Sequence, residues 1–263
     1  MTAPFLDLGP FGAVAAGLFG LVVGSFLNVL AHRLPRGESV VTPGSHCPFC
    51  GAPVRGRDNI PVVSWLLLSA RCRDCRAPIS PRYPLVEAVN GALWVLCFLR
   101  APSYGDFLAS AFFVSACLAL LLIDAEFHVL PDAITLTGIA VGLGLSFFSS
   151  VRTPLSALIG AAAGAGGLWL VAFLYEKVAG HEGMGLGDVK MLGMVGAFLG
   201  PIGVVVTVFL ASLSGSAVGI ALIAARRGSM KMALPFGVFL AFGALAALFF
   251  GEPLVAFYRS LFP

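Results

Sequence analysis

Charged residues are scarce in this chain. Asp, Glu, Lys and Arg make up 11% of its 263 residues, against roughly 25% in a soluble domain. With 59% of the chain hydrophobic, too few polar side chains remain to face water all round, and a soluble globular fold is excluded. A basic flank ahead of the first apolar run is also missing, so that run is expected to stay in place rather than be cleaved as a secretory signal. No G-x-G-x-x-G stands in a strand-to-helix setting, so nothing indicates a dinucleotide site. Inverted repeats of the transporter kind do not stand out, and no nucleic-acid partner is expected.

What the chain does contain is long apolar runs. About 20 such residues cross the hydrocarbon core of a bilayer. Runs at 11–30, 84–99, 107–123, 133–148, 155–175, 189–199, 202–225 and 233–257 predict about eight transmembrane helices in an all-α integral membrane protein. The sixth and seventh are separated by Gly200-Pro201. Lys and Arg in short loops mark the cytoplasmic side. The loop 31–83 holds eight arginines (33, 36, 55, 57, 71, 73, 76 and 82), Lys177 and Lys190 flank another turn, and Arg226, Arg227 and Lys231 follow the seventh run. Only Arg100, Arg152 and Arg259 fall on the opposite face. This bias places both termini outside and the large loop in the cytoplasm. Gly160-x-x-x-Gly164 and Gly193-x-x-Gly196 are read as packing stripes, because small residues let membrane helices approach closely.

The large loop carries Cys47-x-x-Cys50 and Cys72-x-x-Cys75, with 21 residues between the pairs. Paired knuckles of this kind predict a four-thiolate structural zinc site, with redox-active cysteine pairs as the alternative. The cytoplasmic placement argues against disulfides, and a loop of about 50 residues is too small to order itself by core burial alone. Gly51, after Cys50, suits a turn with positive φ. Cys97 and Cys117 lie within apolar runs and are expected in the core.

Two acids stand where acids are costly. Asp124 ends the third run and Asp188 opens the sixth, behind Gly183-Met184-Gly185-Leu186-Gly187, so both are expected at the cytoplasmic edge of the membrane. An ionisable residue at such a place marks a functional site unless a cap or an ion pair accounts for it. Two carboxylates in one partly dry site share a proton. The ionised one can take a proton from water while the other polarises a peptide carbonyl, which is the chemistry of an aspartic protease. The field at a helix N-terminus makes Asp188 the better placed base. Gly185 and Gly187 leave room for an extended substrate strand. Asp132 is expected to cap the fourth run, and His128 and His181 to be interfacial.

These residues resemble the bacterial type IV prepilin peptidases, the G-x-G-D aspartic type. Gly24-Ser25-Phe26-Leu27-Asn28-Val29 with Arg33-Leu34-Pro35 is similar to the first-span signature. The two C-x-x-C pairs resemble the cytoplasmic zinc loop, and Ile79 to Glu87 the approach to the second span. Asp124 with Leu130-Pro131-Asp132, and Gly185-Leu186-Gly187-Asp188-Val189-Lys190, resemble the two catalytic motifs. Pro235-Phe236-Gly237 resembles the last-span signature, and Val238 departs from the proline the pattern leads one to expect. The resemblance implies an inner-membrane enzyme that removes basic leaders from prepilins and pseudopilins at the cytoplasmic face. It also implies methylation of the new N-terminus with S-adenosylmethionine. By resemblance, Asp124 and Asp188 are catalytic, and Gly185, Gly187 and Lys190 are substrate-binding. Cys47, Cys50, Cys72 and Cys75 hold zinc. The implied division is 1–32 as first helix, 33–83 as the zinc loop associated with methyl transfer, and 84–263 as the peptidase. The alternatives are a proton- or cation-coupled transporter built on the same acids, a structural subunit whose zinc loop docks a partner, and a peptidase without methyl transfer.

Overall fold

The computed structural model describes residues 9–181, 184–225 and 235–261. Gly183 of the stretch ahead of Asp188, Arg226, Arg227 and Lys231 of the orientation count, and the start of the last predicted run at 233 lie outside these residues. The described chain is all-α. The helices are α1 (Gly9–Arg33), α2 (Val63–Leu67), α3 (Arg82–Arg100), α4 (Tyr104–Phe127), α5 (Asp132–Leu145), α6 (Pro154–Ala179), α7 (Leu186–Ala224) and α8 (Phe236–Ser260). Among the described residues, extended pairing is confined to two isolated bridges, His46 with Pro53 and Arg71 with Pro78.

Five helices are long and apolar enough to cross a membrane: α1, α4, α6, α7 and α8. The protein is therefore a multi-pass membrane protein. Two predicted runs differ. At 14 residues, α5 rises only about 21 Å against a core of about 30 Å. The other, α3, carries Glu87 and Asn90 in its middle.

The chain forms two compact units, Met1–Phe107 and Leu108–Pro263. In the first, α1 and α3 run antiparallel with almost no gap. A Cβ on Gly24 would lie 2.7 Å from the Glu87 Cα, and one on Gly20 2.8 Å from Trp94 Cβ. Polar ties reinforce this packing: Asn90 Nδ2 donates to the Gly20 carbonyl at 2.7 Å, and Asn28 Nδ2 to that of Tyr83 at 3.3 Å. Each such bond between membrane helices is worth about 1 kcal/mol. The buried Arg33 then fixes the start of the cysteine loop, donating to the carbonyls of Ser39 and Gly44. The Glu87 carboxylate accepts the Val62 N–H at 2.7 Å, and Trp65 Nε1 donates to the Ile79 carbonyl at 3.1 Å.

In the second unit the core is built from Phe113, Cys117 and Leu120 of α4, Met191, Leu192, Met194, Val195 and Phe198 of α7, and Leu240 of α8. Both predicted glycine stripes are helix-packing surfaces, and they meet each other. A Cβ on Gly196 would strike the Gly160 backbone, and one on Gly160 the Gly196 carbonyl. The long run of α7 is two helices joined at Gly200, whose φ of 69° and ψ of −178° leave the helical region just before Pro201. A Cβ on Gly164 would strike the Leu192 carbonyl and also lie 3.3 Å from Val204 Cγ2. In a straight helix those two residues would stand about 18 Å apart. The chain therefore folds back at Gly200. Both arms pack on α6, and the predicted break between the sixth and seventh runs is where the reversal occurs.

Candidate active site

Three helix ends in the second unit build the site. Helix α4 stops after Phe127, where His128 adopts a left-handed φ of 56° and donates its N–H to the Asp124 carbonyl at 3.0 Å. Pro131, in an extended conformation, then sets off α5. This keeps Asp124 in the last turn of α4, only 5% exposed. Helix α7 opens behind Gly185 as N-cap, which puts Asp188 in its first turn, half-buried. Helix α8 opens behind Pro235. The three ends surround a cavity of ≈ 630 Å³ whose walls include Asp124, Asp188, His128, Gly185 and Gly187. The two acids picked from sequence line the same cavity.

Neither acid is accounted for by a bland role. Asp188 is not the N-cap, and its side chain makes no hydrogen bond among the described residues. Asp124 has no ion pair there either. Instead, its Oδ2 accepts the N–H of Val238, in the first turn of α8, at 2.9 Å. Pro235 has no side-chain cap to offer, so the Asp124 carboxylate satisfies an orphan donor of that helix. The contact requires glycine at 237, where a Cβ would lie 2.8 Å from Asp124 Oδ2. Both carboxylates thus face helix N-termini, so the dipole argument that singled out Asp188 as base no longer separates them.

Other expectations need correction. Asp132 does not cap α5; Pro131 occupies the cap position. The Asp132 carboxylate is instead gripped by Lys190 Nζ, at 2.7 and 2.8 Å to its two oxygens. Lys190, expected from the resemblance to bind substrate, is paired with Asp132 and is not among the residues that line the cavity. Neither Gly185 nor Gly187 has a positive φ. What Gly187 allows is the approach of Leu130, whose Cβ would be 3.0 Å from a Cβ at 187. His128 lines the cavity and was missed as a site residue; its position one turn past Asp124 was the available signal. His181 packs edge-on against Tyr175, with ring centroids 5.6 Å apart.

In the first unit the four loop cysteines cluster. Their sulfurs all lie within 4.8 Å of one another, with Cys47 and Cys75 3.7 Å apart, and all four are free thiols. A tetrahedral ion with bonds of about 2.3 Å needs sulfurs about 3.8 Å apart. Each knuckle closes on itself in the same way. Gly51 N–H returns to the Cys47 carbonyl at 2.9 Å and Arg76 N–H to that of Cys72 at 3.1 Å. Gly51 has the expected positive φ, 72°, and Arg76 takes the equivalent place at 62°. Backbone N–H groups of Cys50 and Phe49 pull the Cys47 thiol down to about 7. The Ala77 N–H also pulls on Cys75, but burial and three neighbouring sulfurs push that thiol up to about 12. Four sulfurs this close hold protons among themselves that a dication would displace. The cluster fits a metal ion. Cys97 and Cys117 are buried core residues.

The family model described as "Bacterial Peptidase A24 N-terminal domain" matches residues 18–101. The one described as "Type IV leader peptidase family" matches residues 111–220. A prepilin leader peptidase/N-methyltransferase of Burkholderia pseudomallei strain 1026b is 37% identical over 295 residues, covering 95% of each chain. Proteins described in the same words from Aeromonas hydrophila and Pseudomonas putida are each 37% identical, over 93% and 96% of both chains. The chain belongs to the type IV leader peptidase family. No solved structure matches it. The first family match spans the four cysteines and the α1–α3 packing, and the second spans Asp124 and Asp188. The N-terminal turn of α8, with Gly237 and Val238, lies beyond the second match; this leader peptidase shows its relation to the acids only through the fold.

Proposed function

We propose that the protein is a membrane aspartic endopeptidase that removes the leader from type IV prepilins and pseudopilins and methylates the new N-terminus. The observation that carries the peptidase reading is the convergence of Asp124 and Asp188 on one cavity at joined helix ends. One carboxylate takes a proton from water as it attacks the scissile carbonyl. The other gives a proton to the carbonyl oxygen; as the C–N bond breaks it takes that proton back, and the first carboxylate hands its water-derived proton to the departing amine. With Oδ2 held by Val238, Asp124 presents Oδ1 to the reacting groups. Gly185 and Gly187 form a wall low enough for an extended substrate backbone, and Leu130, Met184 and Phe236 offer it apolar contact.

The basic-residue bias puts the dyad and the cysteine loop on the cytoplasmic side of the inner membrane, with both termini periplasmic. A prepilin with its own apolar helix in the bilayer would present its leader junction at that depth. Transport by the same acids gains no support, since both stand in terminal helical turns rather than mid-span.

Cys47, Cys50, Cys72 and Cys75 would hold zinc, which supplies order to the loop when bound. With four protein ligands it leaves no open position for catalysis. Methyl transfer, which the relatives' names include, implies S-adenosylmethionine as donor, and we associate it with 33–83. Cys47→Ser is expected to lose the metal, measured as zinc per chain, and to lower methylation more than leader removal. A well-folded, zinc-free variant that methylates normally would refute the metal's supporting role. The function itself is tested by incubating the purified protein with a prepilin, with and without S-adenosylmethionine, and weighing the products. Leader loss in both samples and one added methyl group in the second are the expected result; an unchanged prepilin mass would overturn the reading.

A further inference from the structure

We infer that Lys190 is a positioning residue, one that sets the gap between the two acids through Asp132 and never touches the substrate. The inference rests on the peptidase reading above. Asp124 and Asp188 come from different helices, and the only covalent route between them is long. Their separation is therefore set by packing: by the core that joins α4, α7 and α8 and, nearest the acids, by contacts between the turn that leaves Asp124 and the start of α7.

Among the described residues, two such contacts flank Asp188. On one side Leu130 lies against the bare Cα of Gly187. On the other, Lys190 Nζ reaches both oxygens of Asp132, at 2.7 and 2.8 Å. Leu130 and Asp132 are separated only by Pro131, so the Leu130-Pro131-Asp132 turn is gripped at both ends by α7. Leu130 also lies against Gly237 of α8, where a Cβ would be 3.0 Å from its Cδ1. The apolar contacts set closeness but not register, since they are non-directional. Further along, α5 packs on α7, with Gly138 against Met194 and Gly142 against Ala197; at the turn itself the two-pronged ion pair is the directional contact, and it sets how the turn sits beside Asp188. A shift of about 1 Å in catalytic groups costs roughly 100-fold in rate.

The test compares Lys190→Gln, Asp132→Asn and the exchange Lys190→Asp with Asp132→Lys, in the full-length protein in membranes, against the parent enzyme. The single variants should accumulate normally and cleave a prepilin with kcat lowered about tenfold or more, within the range that small displacements produce, and with KM little changed. The exchange should recover most of the lost kcat, because the pair is restored in reverse. A raised KM at unchanged kcat would make Lys190 a substrate contact and overturn the inference. So would single variants with the parent kcat, an exchange no better than the singles, or singles that fail to accumulate, which would make the pair merely structural. An inactive parent enzyme would instead refute the peptidase reading itself.

Discussion

Asp124→Asn and Asp188→Asn should each abolish leader removal, with a loss of about 1000-fold or more, while the protein accumulates in membranes as before. Asparagine has the shape of aspartate, and its carbonyl oxygen can still accept the Val238 N–H that now meets Asp124 Oδ2 at 2.9 Å. The packing at the end of α4 therefore survives. What is lost is the ability to hold and release a proton, the whole of the general acid–base contribution, which reaches about 10⁴-fold. The two variants should be equally inactive, since the two acids act as one unit and removing either removes the other's partner. A prepilin band shift that persists in either variant at the parent's protein level would sink the dyad assignment.

The second large effect belongs to a residue with no side chain. Gly237→Ala places a methyl carbon 2.8 Å from Asp124 Oδ2, 3.0 Å from its Cγ and 3.0 Å from Leu130 Cδ1. Asp124 is buried and its carboxylate is short, so it has little freedom to turn aside. The carboxylate must move by several tenths of an ångström, which loosens the bond to Val238 and presses on the turn that α7 grips. We expect kcat to fall by about 10–100-fold, as for other small displacements of catalytic groups, with KM little changed. Val238→Ala keeps the N–H and should remain near the parent rate. Steady-state cleavage at saturating prepilin decides it; a Gly237→Ala enzyme with the parent kcat would show that α8 does not position Asp124.

The Gly237 contact also explains why an aspartic site can sit at the end of an apolar bundle. A buried carboxylate lacks water to hydrogen-bond with, and a helix N-terminus lacks acceptors for its first N–H groups. At the joint of α4 and α8 each supplies what the other is missing. Asp188 has no such hydrogen-bond partner among the described residues and lines the cavity. Among the described residues the two acids are therefore unlike each other, one tethered to α8 and one without a side-chain hydrogen bond, in a way that their positions on helices α4 and α7 do not reveal.

By itself the sequence determined the membrane setting, the helical class, the break at Gly200-Pro201, the four-cysteine cluster and the two acids. Each is written within a short window: apolar runs long enough to span, a Gly-Pro pair that no helix continues through, two C-x-x-C knuckles, and a charge at the end of an apolar run. The glycines at 160, 164, 193 and 196 were legible as packing residues, but not that they face one another. Only the tertiary structure decided that Asp124 caps α8, that Lys190 pairs with Asp132, that His128 lines the cavity, and that α7 folds back so both its arms lie on α6. These depend on which helix faces meet between stretches of chain distant in sequence. A periodic apolar pattern says that a face is buried and leaves its partner open. The partner is chosen by shape and by the need of each polar group for a hydrogen bond, and both act only once the helices are packed.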